Sequence, residues 1–185
     1  MNNLRLLAID TSTESIILAL YNCGDKKYFV GKDNAKMHNQ VLLTNINDFL
    51  YNQGLSINDI DVFGIVSGPG SFTGIRIGVA TVNALALALN KKTVEITSLE
   101  QLDDGTQKIV LIDCKHDNYY AGIFGEKTQY LALSKDELTE YDLPKHYLTK
   151  SIPEKVLDKC LQKVQRNEFT TQSKPFYMKK SSAER

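Results

Sequence analysis

Val62-Phe63-Gly64-Ile65-Val66-Ser67-Gly68-Pro69-Gly70-Ser71-Phe72-Thr73-Gly74-Ile75-Arg76-Ile77-Gly78 is the stretch on which the fold turns. Residues 62–67 form a short apolar run that reads as a strand. The run breaks on Gly68, Pro69 and Gly70, and residues 75–89 then form an apolar helix. Strand, glycine turn and helix make the core of an α/β unit. The glycines permit backbone angles closed to other residues, and Pro69 stiffens the turn. The helix N-terminus behind them carries unpaired N–H groups and a partial positive charge, which suits an anion. The spacing matches neither the P-loop nor the dinucleotide fingerprint. The loop therefore has two readings: a phosphate cradle built from Gly68, Gly70 and Ser71, or a tight turn that needs glycine for packing.

The helix beyond the loop is apolar on nearly every side. Gly74 and Gly78 lie four apart, as do Ala80, Ala84 and Ala88. Such rows run along one side of a helix and let another backbone approach. A helix apolar all round is buried all round. The covering surface is either the rest of the chain or a partner subunit.

Upstream, residues 4–9 and 16–21 are apolar runs around Asp10-Thr11-Ser12-Thr13-Glu14, which reads as a hairpin, and residues 27–30 add a third strand. A helix over 39–53 carries Leu42, Ile46, Phe49 and Leu50 on one face. Ser56 and Asp59 have capping-box spacing. Residues 93–97 form another strand. This order predicts a mixed sheet with flanking helices. Downstream, 108–113, 119–124 and 129–133 read as strands. Ser134 and Glu137 have capping-box spacing before a short helix. A last helix starts at Pro153, with Val156, Leu157, Cys160, Leu161 and Val164 on one face. The pattern changes near Ser98, which divides the chain into a first lobe, 1–98, and a shorter second lobe, 99–185.

Composition narrows the function. The 42% apolar content supports a buried core. Lysine plus arginine and aspartate plus glutamate number 22 each, so no overall field draws in RNA. Cys23, Cys114 and Cys160 are scattered, with no C-x-x-C pair, which fits a reducing compartment. Residues 1–5 have no secretory leader pattern, and no membrane span is expected, so the location expected is the cytoplasm.

Asp10, Thr11 and Ser12 form a second loop suited to an anion, with Asp10 as a magnesium ligand; the other reading is a polar hairpin turn held by its own hydrogen bonds. His38 stands alone: the position four residues on, where a metal-binding H-x-x-x-H helix needs its second histidine, is Leu42. No metal site is expected, and no nucleophile has a paired base in spacing.

Leu7-Ala8-Ile9-Asp10-Thr11-Ser12, His38-Asn39-Gln40, the whole of 68–78 and Thr97-Ser98-Leu99-Glu100 together resemble the TsaB family. The hairpin over 113–124 and the tail Pro175-Phe176-Tyr177-Met178-Lys179-Lys180-Ser181 are similar to family segments, with lysine where arginine is usual. Residues 127–172 are shorter than the family carries. The resemblance implies an actin-like ATPase (ribonuclease-H-like) fold with a shortened second lobe. It implies a non-catalytic subunit that pairs with TsaD, and through it with TsaE. That machinery transfers threonylcarbamoyl to adenosine in tRNAs reading codons that start with A. It implies a homodimer when the chain is alone, contact with tRNA only through partners, no cofactor of its own, and ATP or ADP at the assembled complex. It also places the pairing surface on the two N-terminal helices, at His38, Leu42, Ile46, Gly74, Arg76, Gly78 and Val82. Two other readings follow it: a small actin-fold ATPase or kinase using Asp10 and the two loops, and a protease acting on its partner.

Overall fold

The computed structural model describes residues 3–31 and 37–178. Met1, Asn2 and the end of the tail motif, Lys179-Lys180-Ser181, lie outside them.

Alternation along the first strand sets the architecture. In β1 (Arg5–Asp10), Leu7 and Ile9 face one side and Leu6 and Ala8 the other, all fully buried. A strand buried on both faces sits inside a sheet covered twice. That sheet has the order β3-β2-β1-β4-β5, with β2 (Ile17–Asn22), β3 (Asp25–Val30), β4 (Val62–Val66) and β5 (Lys92–Ile96). β1, β2 and β3 pair antiparallel, whereas β1, β4 and β5 pair parallel. The mixed sheet with flanking helices is the expected α/β architecture.

Helices α1 (His38–Tyr51) and α2 (Phe72–Leu89) cover the Leu7 side. Leu42, Ile46, Phe49 and Leu50 of α1 and Ile75, Val79, Val82 and Ala86 of α2 fill that core. α2 begins at Phe72, three residues before the expected start, because Ser71 Oγ accepts from the Gly74 N–H as an N-cap. By length and composition α2 could cross a bilayer, but a third of it is packed inside the fold.

The Leu6 side is covered by α3 (Pro153–Gln165), through Val156, Leu157, Cys160 and Leu161. This departs from the expected second lobe of 99–185. After α3 the chain stays on the first sheet: Thr170 bridges to Thr93, and the Phe176 N–H donates to the Ser67 carbonyl at 2.9 Å. The periodicity of α3 marks a buried face correctly; it carries no information on which sheet that face meets.

The remaining segment builds a four-stranded sheet of order β8-β7-β6-β9. β6 (Lys108–Asp113), β7 (Asn118–Phe124) and β8 (Gln129–Ser134) form a meander, and β9 (Lys145–Tyr147) lies parallel to β6. The capping box at Ser56 forms, with the Ser56 N–H donating to Asp59 at 2.8 Å at the start of a 3₁₀ turn; the Ser134 N–H donates to Glu137 at 2.7 Å, but the 3₁₀ turn there begins at Glu137 with Asp136 as its N-cap.

Candidate functional site

The two loops expected to hold phosphate hold each other. The Thr11 hydroxyl donates to the Gly74 carbonyl at 2.7 Å, and the Ser71 N–H donates to the Ser12 carbonyl at 2.7 Å. A Cβ at Gly70 would overlap the Ser12 carbonyl, at Gly74 the Thr11 carbonyl, and at Gly78 the Thr11 hydroxyl. The Gly74–Gly78 row therefore admits the turn after β1, not a partner's helix. Gly68 has φ 115°, which a side chain would strain, and its carbonyl accepts from Ser98 N–H at 2.7 Å. The N–H groups of Ser71 and Gly74 that a phosphate would use already have acceptors. Contact with the turn after β1 accounts for Gly70, Gly74 and Gly78, which is the packing reading of these glycines.

Asp10 is fully buried at the end of β1. One carboxyl oxygen accepts from the Ser12 N–H at 2.7 Å; the other lies 2.5 Å from Ser151 Oγ. Ser151 Oγ also lies 3.0 Å from Gln101 Oε1, so its single hydrogen faces two acceptors. Ser151 Oγ is the donor to Asp10, and Gln101 Oε1 also accepts from the Ile152 N–H at 2.9 Å. Burial pushes the Asp10 carboxyl above its ordinary range, against the lowering pull of Ser12, Ser151 and the nearby His38. With both oxygens engaged, the Asp10 carboxyl links β1 to the segment leading into α3. Neither Ser151 nor Gln101 was legible as a partner, because Ser151 is 141 positions from Asp10 in the chain.

The expected pairing residues fall mostly inside. His38, Leu42, Ile46, Gly74, Gly78 and Val82 are buried in the chain's own core; Arg76 alone of that set is exposed. His38 Nε2 lies 2.9 Å from the Glu14 carbonyl, which only accepts, so the ring donates there. The correction has a geometric cause. An all-round apolar pattern does not say which arc of α2 meets the sheet. The glycine row faces in, and Ala80, Ala84 and Ala88 face solvent beside Leu87, which is 85% exposed.

The outer arc of α2 starts in an aromatic cluster. The Arg76 guanidinium lies 3.9 Å from the centre of the Phe72 ring and donates to the Tyr177 hydroxyl at 2.7 Å; the Phe72 and Tyr177 rings stack at 5.3 Å. The tail holds this corner, since the Ser173 N–H donates to Asn83 and Asn83 donates back to the Ser173 carbonyl. α1 adds exposed Leu43 and Tyr51. Elsewhere, Cys160 is fully buried under the sheet, and burial pushes its thiol up to about 12, which makes it a packing residue and not a nucleophile. Among the described residues no cluster of histidine, cysteine or carboxylates has metal-binding geometry.

Known proteins share this fold and sequence. The family model described as TsaD, tRNA N6-adenosine threonylcarbamoyltransferase, matches residues 29–183. The chain is 31% identical over 137 residues to the tRNA threonylcarbamoyladenosine biosynthesis protein TsaB of Haemophilus influenzae, a match covering 70% of this chain and 58% of that protein. It is 30% identical over 144 residues to TsaB of Buchnera aphidicola, covering 68% of this chain and 67% of that protein. The chain thus spans little more than half the length of the Haemophilus relative. A crystal structure from Pseudomonas aeruginosa, described as an uncharacterized protein with similarity to peptidase YEAZ, superposes with a TM-score of 0.78 over 95% of this chain and 100% of that one. Its identity is 23%, so it speaks for the fold alone. On the sequence matches, the chain belongs to the TsaB family, inside the broader group that the TsaD model describes.

Proposed function

We propose that the chain is a non-catalytic subunit of the machinery that places threonylcarbamoyl on adenosine in tRNAs reading codons that start with A. The observation that carries this reading is the outer arc of α2. Phe72, Ala80, Ala84, Leu87 and Ala88 are exposed on a helix whose opposite side is core. Small residues in a row with apolar flanks suit close packing against another helix. The partner proposed is a TsaD homologue, with TsaE joining through it. A second copy of the chain occupies the same arc when it is alone. tRNA is reached through the partners, in the cytoplasm. The chain binds no cofactor of its own, and ATP or ADP acts at the assembled complex.

The non-catalytic part has its own support. Leu42 stands where a second metal-binding histidine is needed, and His38 Nε2 donates to the Glu14 carbonyl. Mixing the chain with the TsaD homologue of its genome and measuring complex mass with and without ATP tests the reading. One copy of each in a stable particle is expected. Two species that stay apart under both conditions would sink it. ATP turnover by the isolated chain that disappears in Asp10→Ala would favour the kinase reading instead.

A further inference from the structure

Arg76 is the sole charged residue of Phe72–Leu89, and it stands on the outer arc among uncharged, exposed side chains. Its guanidinium is held on two sides by the chain itself. The group lies over the Phe72 ring at 3.9 Å, and its Nε donates to the Tyr177 hydroxyl at 2.7 Å. Tyr177 is seated in turn. Its ring stacks on Phe72, and the neighbouring Phe176 is pinned by its N–H to the Ser67 carbonyl and by an edge-on contact with Tyr130 at 5.1 Å. The other guanidinium N–H groups meet no carboxylate or other acceptor among the described residues. The Tyr177 hydroxyl accepts from Arg76, and its own hydrogen has no acceptor among them either. This corner therefore presents donors only, on side chains whose rotamer freedom is already spent.

A partner that covers α2 takes water from this cation. A desolvated guanidinium is strongly unfavourable unless a counter-charge answers it, and α2 supplies none. We infer that Arg76 receives a carboxylate of the TsaD homologue on its terminal N–H groups, and that Tyr177 of the tail is the positioning residue that holds Arg76 for it. This rests on the pairing proposed above and names its polar contact. A carboxylate suits the planar fork, which it meets with two parallel hydrogen bonds. An RNA phosphate meets one guanidinium equally well, but a nucleic-acid backbone is held by several cations, and α2 has one.

The test is pairing of the intact chain with the TsaD homologue of its genome, titrated at low and high salt. Wild-type affinity should fall as salt rises. Arg76→Gln should weaken pairing about thirtyfold or more and flatten that salt dependence. Arg76→Lys keeps the charge without the fork and should recover part of the loss. Tyr177→Phe keeps the stack and removes the hydroxyl; it should weaken pairing about threefold or more, and by less when Arg76 is already Gln. Both side chains are exposed, so the variants should melt as the wild type does. If Arg76→Gln fails to fold, Arg76→Lys and Tyr177→Phe carry the result. Pairing by the wild type with affinity and salt dependence unchanged in the Arg76 variants overturns the inference and leaves the pairing reading standing. A loss confined to self-association, or to binding of tRNA by the isolated chain, overturns it too. No pairing by the wild type overturns both.

Discussion

Helices α2 and α3 cover opposite faces of one sheet, yet they meet solvent in opposite ways. α3 turns Glu154, Lys155, Gln162 and Gln165 outward, and its flanks are tied down by ion pairs, Lys159 to Asp103 at 3.0 Å and Lys163 to Glu100 at 2.9 Å. α2 turns out Phe72, Ala80, Ala84, Leu87 and Ala88, with Arg76 folded onto an aromatic ring. The inner sides are alike: both are apolar and close-packed. The difference lies wholly in the outer arcs. An amphipathic helix completes a surface, whereas a helix apolar on both arcs leaves one to be completed.

Substitutions on the two helices separate these roles. The largest effect belongs to Gly78→Arg, which drives a charged side chain into the Thr11 hydroxyl under α2. It should destabilise the fold by about 4 kcal/mol or more, read as loss of a cooperative thermal transition. Survival of a wild-type melt would show that the glycine row is not the packing seam. On α3, Leu157→Ala empties a fully buried site and should cost about 2–5 kcal/mol in denaturant unfolding.

Asp10 links the strand shared by both faces to the start of α3, and its effect is smaller and depends on pH. Asp10→Ala should cost about 1–3 kcal/mol. Asp10→Asn offers a donor toward Ser151, keeps an acceptor for Ser12 and should cost less. The carboxyl's pKa is raised in the fold above its ordinary value of 3.8. Its contribution is therefore complete below that value and declines as pH rises through the raised pKa. The midpoint of Asp10→Asn should gain on the wild type as pH rises above 3.8. A constant difference across pH would mean that the fold leaves the Asp10 pKa at its unfolded value. The smallest stability effect falls on the charged arc of α3: Lys163→Met should cost roughly 1 kcal/mol or less, and less still at high salt.

Much of this fold was legible because its strands are bounded by glycine, proline and polar turns, and because α1 and α3 carry one clean apolar face each. Two features were not. β9 spans Lys145–Tyr147, too short and exposed to leave a period. The seating of α3 on the first sheet depends on a partner that its own sequence does not name. The candidate site divided in the same way. Both loops were found from glycine, hydroxyl and carboxylate chemistry. Their mutual hydrogen bonds, and the choice of the glycine row over the alanine row as the inner one, follow from the approach of Thr11, 63 positions from Gly74. Gln101 and Ser151 carry no local signal at all, since an amide and a hydroxyl become a hydrogen-bonded network only when burial takes water away.

The central claim is that the outer arc of α2 exists to be covered by a partner. Leu87→Arg places a charge at a position 85% exposed, where a change should alter stability by no more than about 0.5 kcal/mol. Sedimentation or light scattering of this variant with the TsaD homologue is the most direct test. A folded variant whose affinity falls by about a hundredfold or more supports the account. A folded variant that pairs at wild-type affinity contradicts it.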